Sequence, residues 1–460
     1  MMKRRDALKT IGGLGAAAGM ARYLPGCGGG GDDAPGITTY VYMMMENRSY
    51  DHFFGARSML EGKHGDGLAP TMTNPDLAGR LIAPFTPDKN SLCAIDPPHG
   101  WDAGRVQFNG GANDGFVKAH QMEHQSMTAI EPMQYLVRND VPVSWALADQ
   151  YATADRWFCS VMGPTWPNRF YWHAATSEGK IENKLPTTGL LTEPSIYQRL
   201  DAKGIDWGYY YGSIPVVSLY KDIDLSHVRR FGEFLTDAAA GKLPPVVYID
   251  PVFDHNDDHP PVHPINGQEL IATVYTALAT SPQWKHCMLV ITYDEHGGFF
   301  DHVPPPKTVD VRAAQGFDQL GFRVPTLVAG PYVKQGYVSS KVYEHCSALR
   351  ELELAFDLEP LNARTMAAND LSDFIDMERL AKGDWAKPIE IPMVDPTDTS
   401  QWPMGAVCSS GGVLREDHPV LEWANAHPEA LGSLDLRPEI PAYRRTIREF
   451  LASHSAGRVK

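Results

Sequence analysis

The chain has 460 residues, 43% of them hydrophobic, ample for a large core in a single α/β domain. Its net charge is −15, and residues 1–26 carry five basic residues against one acidic, so the remainder stands at −19. That balance argues against nucleic-acid binding and against adhesion to anionic lipid by charge alone.

The chain opens on Lys3-Arg4-Arg5-Asp6-Ala7-Leu8-Lys9, close to a twin-arginine export signal with Ala7 where Phe is usual. Thr10 to Ala21 is a short Gly- and Ala-rich apolar segment, too weak to span a bilayer and suited to a signal core. Leu24-Pro25-Gly26-Cys27 is similar to a lipoprotein processing box, with Pro25 an unusual occupant. A lipidated Cys27 would give a peripheral membrane tether, and ordinary peptidase cleavage nearby is the alternative. Gly28 to Gly36 reads as a flexible link. The expected organisation is an export signal at 1–26, a tether at 27–36, a catalytic domain at 37–376 and a packed extension at 377–460. The product would be periplasmic, lipid-anchored or secreted.

Ile37 to Met45 is an apolar run that predicts a buried strand, and Glu46-Asn47 stands where it leaves the core. Strand carboxyl ends are where open α/β sheets gather ligand-handling residues. Further strands are predicted at 206–211, 246–250, 288–293 and 324–330. Helices are predicted at 195–203, 227–240, 267–280 and 344–356, with a terminal helix near 442–453. This alternation predicts a largely parallel sheet flanked by helices.

Met288 to Tyr293 delivers a second acidic turn, Asp294-Glu295-His296-Gly297-Gly298, with Asp301 and His302 able to return toward the same place. Carboxylates and imidazoles from two strand ends could make an oxygen-rich metal site; two unrelated acidic loops is the plainer alternative. Between them, Gly163-Pro164-Thr165-Trp166-Pro167-Asn168-Arg169 sets Thr165 at the start of a helix. A hydroxyl there faces unpaired N–H groups and suits attack on phosphorus, although Thr is also an ordinary N-cap.

Glu46 to Gly55, Gly163 to Arg169 and Tyr293 to Pro305 together resemble the bacterial phosphoesterase family of phospholipases C and acid phosphatases. Pro98-His99-Gly100-Trp101, Asn109-Gly110-Gly111 and His259-Pro260-Pro261 are weaker matches, and the resemblance covers roughly 37–376. It implies an alkaline-phosphatase-like α/β fold. It also implies one divalent ion (Ca, Mg, Mn or Fe) held by Glu46, Asn47, Asp294 and Glu295. Thr165 would be the nucleophile, and His99, His259 and His302 the phosphate-pocket and proton-transfer histidines. Asn47 and Asn168 would donate to the phosphoryl oxygens and Arg169 would pair with them. His296 departs from the family's Asn, which leaves an extra ligand or an altered pKa open.

His255, Asp257, Asp258 and His259 could hold a second metal or form a polar rim. Trp101, Trp145, Trp166, Trp172 and Tyr209 to Tyr211 could supply an aromatic box for a choline head group, or core. Of the cysteines after Cys27, five in number, Cys159 and Cys287 lie in apolar runs and suit buried thiols. The expected activity is a phospholipase C-like phosphodiesterase acting on a phospholipid head group or another phosphate ester, through a phosphothreonine. An acid phosphatase is the rival, and a lipoprotein that binds phosphorylated ligands without turnover is the alternative of another class.

Overall fold

The computed structural model describes residues 35–88, 92–185, 190–398, 426 and 440–455. The export signal, Cys27 and most of the tether therefore lie outside the described residues. Every residue of strand β1 (Thr39–Met45) is buried, so it reads as a continuous apolar run and not as an alternating one.

In chain order the elements that frame the site are α1 (Trp101–Phe108), α2 (Phe116–His124), α3 (Pro142–Gln150), β2 (Ala152–Ala154) and α4 (Thr165–Ala174). Next come α5 (Ile196–Lys203), β3 (Trp207–Tyr211), β4 (Val228–Arg230), α6 (Phe231–Ala240) and β5 (Val246–Asp250). Then follow α7 (Pro264–Ala279), β6 (Cys287–Tyr293), β7 (Leu327–Ala329), β8 (Tyr337–Ser339), α8 (His345–Ala355) and α9 (Ile440–Ser455). The eight strands form one sheet in the order β8-β2-β7-β6-β1-β5-β3-β4. All pairings are parallel except those of β7, which runs antiparallel to β2 and β6. This is the expected largely parallel α/β sheet.

Two tyrosines of β1 show how the helices seat. The Tyr42 ring meets Trp172 of α4 edge-on at 5.6 Å, and its hydroxyl reaches the Ala348 carbonyl of α8 at 3.4 Å. Helix α7 packs against α3, α6 and α9. Its start lies three residues before the expected one, because Pro264 opens it and the His263 side chain caps the Ile265 N–H. The expected helix at 227–240 begins only at Phe231, since Val228–Arg230 is drawn into the sheet beside β3.

The terminal helix α9 lies on α7, and Asn256 donates to Tyr443 at 3.0 Å. Among the described residues no helix is long and apolar enough to cross a membrane. Cys159, Cys287 and Cys346 are buried free thiols, and Cys93 is disulfide-bonded.

Arg364, 1% exposed, ties the segment leading to α4 into the molecule. It donates to the Ser160 carbonyl at 2.5 Å, to Asp310 and to the Phe317 carbonyl at 2.9 Å each, and pairs with Glu344. Arg364→Ala leaves the buried Glu344 carboxylate without its cation. It should lower the unfolding free energy by about 3–5 kcal/mol in urea titration.

Candidate active site

The carboxyl ends of three adjacent strands, β6, β1 and β5, meet around one guanidinium. Arg169 of α4 donates to Asp294 at 3.1 Å, to Asp250 at 3.3 Å and to the Met45 carbonyl at 3.3 Å. Burial opposes its charge, but Asp294, Glu46 and Asp250 raise its pKa above the ordinary value. Asp294 is thereby aimed, and its other oxygen accepts the Asn47 N–H at 3.1 Å. Asn47 takes a left-handed φ of 60°, which turns the chain sharply after Glu46.

Two glycines let three turns cross here. Gly297 has φ +59°, and a Cβ on it would lie 2.3 Å from the Asn47 carbonyl oxygen. Gly298 has φ +72°, and its Cβ would lie 2.6 Å from the Pro98 carbonyl oxygen. The acidic turn, the Asn47 turn and the loop bearing His99 thus come into contact with no side chain between them.

Thr165, 3% exposed, is the first residue of α4, and its hydroxyl donates to Glu295 Oε1 at 2.9 Å. The Nε2 of His99 lies 3.8 Å from that same oxygen and 3.4 Å from the Asn47 amide. The Nδ1–H of His99 donates to the Pro97 carbonyl at 2.8 Å, which leaves Nε2 for the site when the ring is neutral. The His259 ring stands 5.8 Å from that of His99. Glu46, Asn47, Asp294, Glu295, Thr165, His99 and His259 are therefore brought together as the sequence suggests. Asp257 and Asp96 join them without having been singled out as part of this group. Asp257 shares a hydrogen bond with Glu46, and its carbonyl accepts the Glu46 N–H at 2.7 Å.

The electrostatics are one-sided. Glu46, Asp257, Asp294 and Glu295 are all buried, and burial pushes the carboxyls of Asp257, Asp294 and Glu295 up. Glu46 adds repulsion to Asp257, and Asp294 adds repulsion to Glu295. Glu295 Oε2 and Asn47 Oδ1 are buried with no hydrogen-bond partner. Surplus buried carboxylate and orphaned oxygens are the donor set that a hard divalent cation takes, so Glu46, Asn47, Asp294 and Glu295 fit such an ion.

Other expectations need correction. Arg169 cannot pair with a substrate phosphate, because its nitrogens are spent on Asp294, Asp250 and Met45. Asn168 is wholly buried: its Oδ1 accepts the Val161 N–H at 2.9 Å and its Nδ2 donates to the Val161, Gly163 and Pro164 carbonyls. It holds the loop before Thr165 and does not reach a ligand. His302 sits in a different network, with Nδ1 2.6 Å from Asp51 and Nε2 3.1 Å from Asp66. Both ring nitrogens are thus held by carboxylates outside the Thr165–Glu295–His99 group.

The second-metal set expected at 255–259 also disperses. His255 bonds Arg444, and Asp258 accepts from Tyr293 at 2.7 Å. His259 instead groups with Asp96 and His99, one donor atom from each lying within 4.8 Å of the others. His296 bonds Gln107 at 2.8 Å, and burial holds its pKa well below the ordinary value, so it is a neutral packing residue. Trp145, Trp166, Trp172 and Tyr209 to Tyr211 are core residues. Only Trp101 is partly open, and the Arg105 guanidinium covers it at 3.5 Å.

The model of the Phosphoesterase family matches residues 37–359. Non-specific phospholipase C6 of Arabidopsis thaliana is 31% identical over 86% of this chain and 83% of its own length. Non-specific phospholipase C1 of the same plant is 35% identical over 70% of this chain and 67% of its own. Phospholipase C A of Mycobacterium tuberculosis is 28% identical over 77% of this chain and 81% of its own. Among solved structures, a phosphonate monoester hydrolase of Agrobacterium radiobacter overlays 91% of this chain and 96% of its own, at 10% identity and a TM-score of 0.36.

The His302 network gives a pH signature. Burial alone would lower its pKa, but the hydrogen bond and charge of Asp51 outweigh burial and lift it to about 9. A folded pKa above the unfolded one stabilises the fold fully below about pH 6.5, and that contribution is lost as pH rises toward about 9. Unfolding free energy should fall across this window in the wild type. His302→Gln should remove that component of the slope, read by chemical denaturation at half-unit pH steps.

Proposed function

Since the chain belongs to the Phosphoesterase family and is a phosphoric-ester hydrolase, we propose that it is a metal-dependent phosphodiesterase of phospholipase C type with Thr165 as nucleophile. The observation that carries this reading is the hydrogen bond from the Thr165 hydroxyl to Glu295 Oε1 at 2.9 Å, made at the first residue of a helix.

Thr165 Oγ1 attacks phosphorus, its proton leaving along the bond to Glu295. The new Thr–O–P bond forms as the bond from phosphorus to the alcohol breaks, and the departing alkoxide takes a proton from a histidine at the mouth, His99 or His259. The same histidine, now neutral, takes a proton from water. The resulting hydroxide displaces Thr165, whose departing alkoxide takes its proton back from Glu295, and the phosphate product is released. At the start of α4 the Trp166 N–H donates to Asn183 Oδ1 at 3.2 Å, Pro167 has no N–H and the Asn168 N–H returns to the Pro164 carbonyl at 3.4 Å. The helix end therefore offers the developing negative charge its dipole and not a set of free donors. The Asn47 amide, beside His99, donates to a phosphoryl oxygen. A divalent cation held by Glu46, Asn47, Asp294 and Glu295 would neutralise phosphoryl charge and ease loss of the Thr165 proton.

The preference for a diester follows from the spent cations. Arg169 is committed to carboxylates, and Arg48 donates to the Asp258 and Val262 carbonyls and meets His52. Neither is free to balance the second charge of a monoester, whereas a diester carries one. The names of the phospholipase C relatives favour the same side.

The export motif at Lys3 to Lys9 and the Cys27 box support passage through the twin-arginine route, with a lipid-anchored or secreted product.

Thr165→Ala should lower kcat by at least about a thousandfold while near-UV circular dichroism is unchanged, and activity within about tenfold of wild type would remove the covalent role. Chelation should abolish turnover of a soluble phosphocholine diester, and Asp294→Asn should lower bound metal measured by mass spectrometry. A tenfold preference for an aryl phosphate monoester would overturn the diester reading. Arg4→Lys with Arg5→Lys should leave the precursor in the cytoplasm, and unchanged export of that variant rejects the route.

A further inference from the structure

The site opens to solvent at Asp96 and His99, whose side chains are 38% and 11% exposed while Thr165, Asp294 and Glu295 lie buried beneath. Beside that opening the chain sets five large apolar side chains in water. Ile95, next to Asp96, is 52% exposed. The Asp96 carbonyl accepts from His124 Nε2 at 3.0 Å, which lays the end of α2 against it. Met122 in that last turn is 49% exposed, and Met127 just beyond is 46%.

A small hairpin, Asn74–Pro75 paired with Leu81–Ile82, is fastened to the same turn. Gln121 accepts the Leu77 N–H at 3.0 Å and donates to the Met127 carbonyl at 3.0 Å. Arg80 donates to that carbonyl as well, at 3.1 Å. Leu77 is 46% exposed and Leu81 68%. A lone exposed leucine is ordinary, but five such side chains on three hydrogen-bonded segments at an active-site mouth form a patch.

Charge narrows what the patch can meet. Residues 74–82 carry only Asp76 and Arg80, which pair at 2.6 Å, and residues 116–128 carry only Lys118 and Glu123. Both segments are neutral on a chain of net charge −15. A neutral, apolar-tipped rim on an acidic molecule fits a surface that is itself neutral overall with an apolar layer beneath, and anionic lipid would repel the rest of the chain.

We propose that this rim docks on zwitterionic phospholipid bilayer, seating Leu77, Leu81, Ile95, Met122 and Met127 among the head groups and bringing the Asp96–His99 mouth to the phosphodiester. The inference rests on the phosphodiesterase reading above and names where that substrate is met.

The test uses the full mature chain and the double variant Leu81→Asp with Met127→Asp, both positions exposed and outside the catalytic group. With vesicles of palmitoyl-oleoyl phosphatidylcholine, the variant should lose at least about tenfold in hydrolysis rate and should no longer co-float. On monomeric dibutyryl phosphatidylcholine it should stay within about twofold of wild type. Unchanged flotation, or equal loss on both substrates, overturns the proposal. A wild-type dimer dissociated by the same substitutions in analytical ultracentrifugation also overturns it, assigning the rim to a second copy. If the wild type fails to cleave the soluble diester, the phosphodiesterase reading falls, and flotation still decides the rim.

Discussion

One guanidinium organises the chemistry. Arg169 reaches from α4 across the carboxyl ends of β6, β1 and β5, touching Asp294, the Met45 carbonyl and Asp250. Removing a carboxylate from water is costly unless a cation or hydrogen bonds replace the solvent. Five buried acids, Glu46, Asp250, Asp257, Asp294 and Glu295, crowd this region, and Arg169 satisfies one side of the cluster while leaving the opposite side unbalanced. That imbalance is local and directional. It faces Thr165, Asn47 and His99, the side on which the proposed cation and phosphate ester would bind.

A second guanidinium repeats the device one layer away. Arg323, fully buried, binds Asp301 at 2.8 Å and Asp51 at 3.1 Å, and also holds the Asp66 and Asp155 carbonyls. It lies over Tyr50 at 4.5 Å. The turn after Glu46 and the turn after Glu295 are thus bolted together beyond the reacting groups. His302 belongs to this bolt, which is why a motif histidine adjacent to an acidic turn ends in a structural role.

Much of the site was legible because its residues leave predictable strands at their carboxyl ends. Glu46 and Asn47 follow β1, Asp294 and Glu295 follow β6, and Thr165 opens a helix; each position comes from local pattern. Asp257 was visible as an acidic residue, but its union with Glu46 depends on β5 pairing with β1, a fact of sheet order that no window of sequence carries. Asn168 and Arg169 misled for a related reason. A polar residue near a reactive one can face the void or the protein, and only packing decides which. The three-residue strands β2, β4 and β8 are too short to show a period, and the antiparallel course of β7 is set by its neighbours.

Helix α4 carries both Thr165 and, four residues on, Arg169. The hydroxyl and the clamp on the acids are therefore spaced by one helical turn, the stiffest ruler a polypeptide offers. Loops at the mouth can lengthen, shorten or change composition without resetting that spacing. A rim residue can therefore change without altering the one-turn distance between the Thr165 hydroxyl and the guanidinium that holds Asp294.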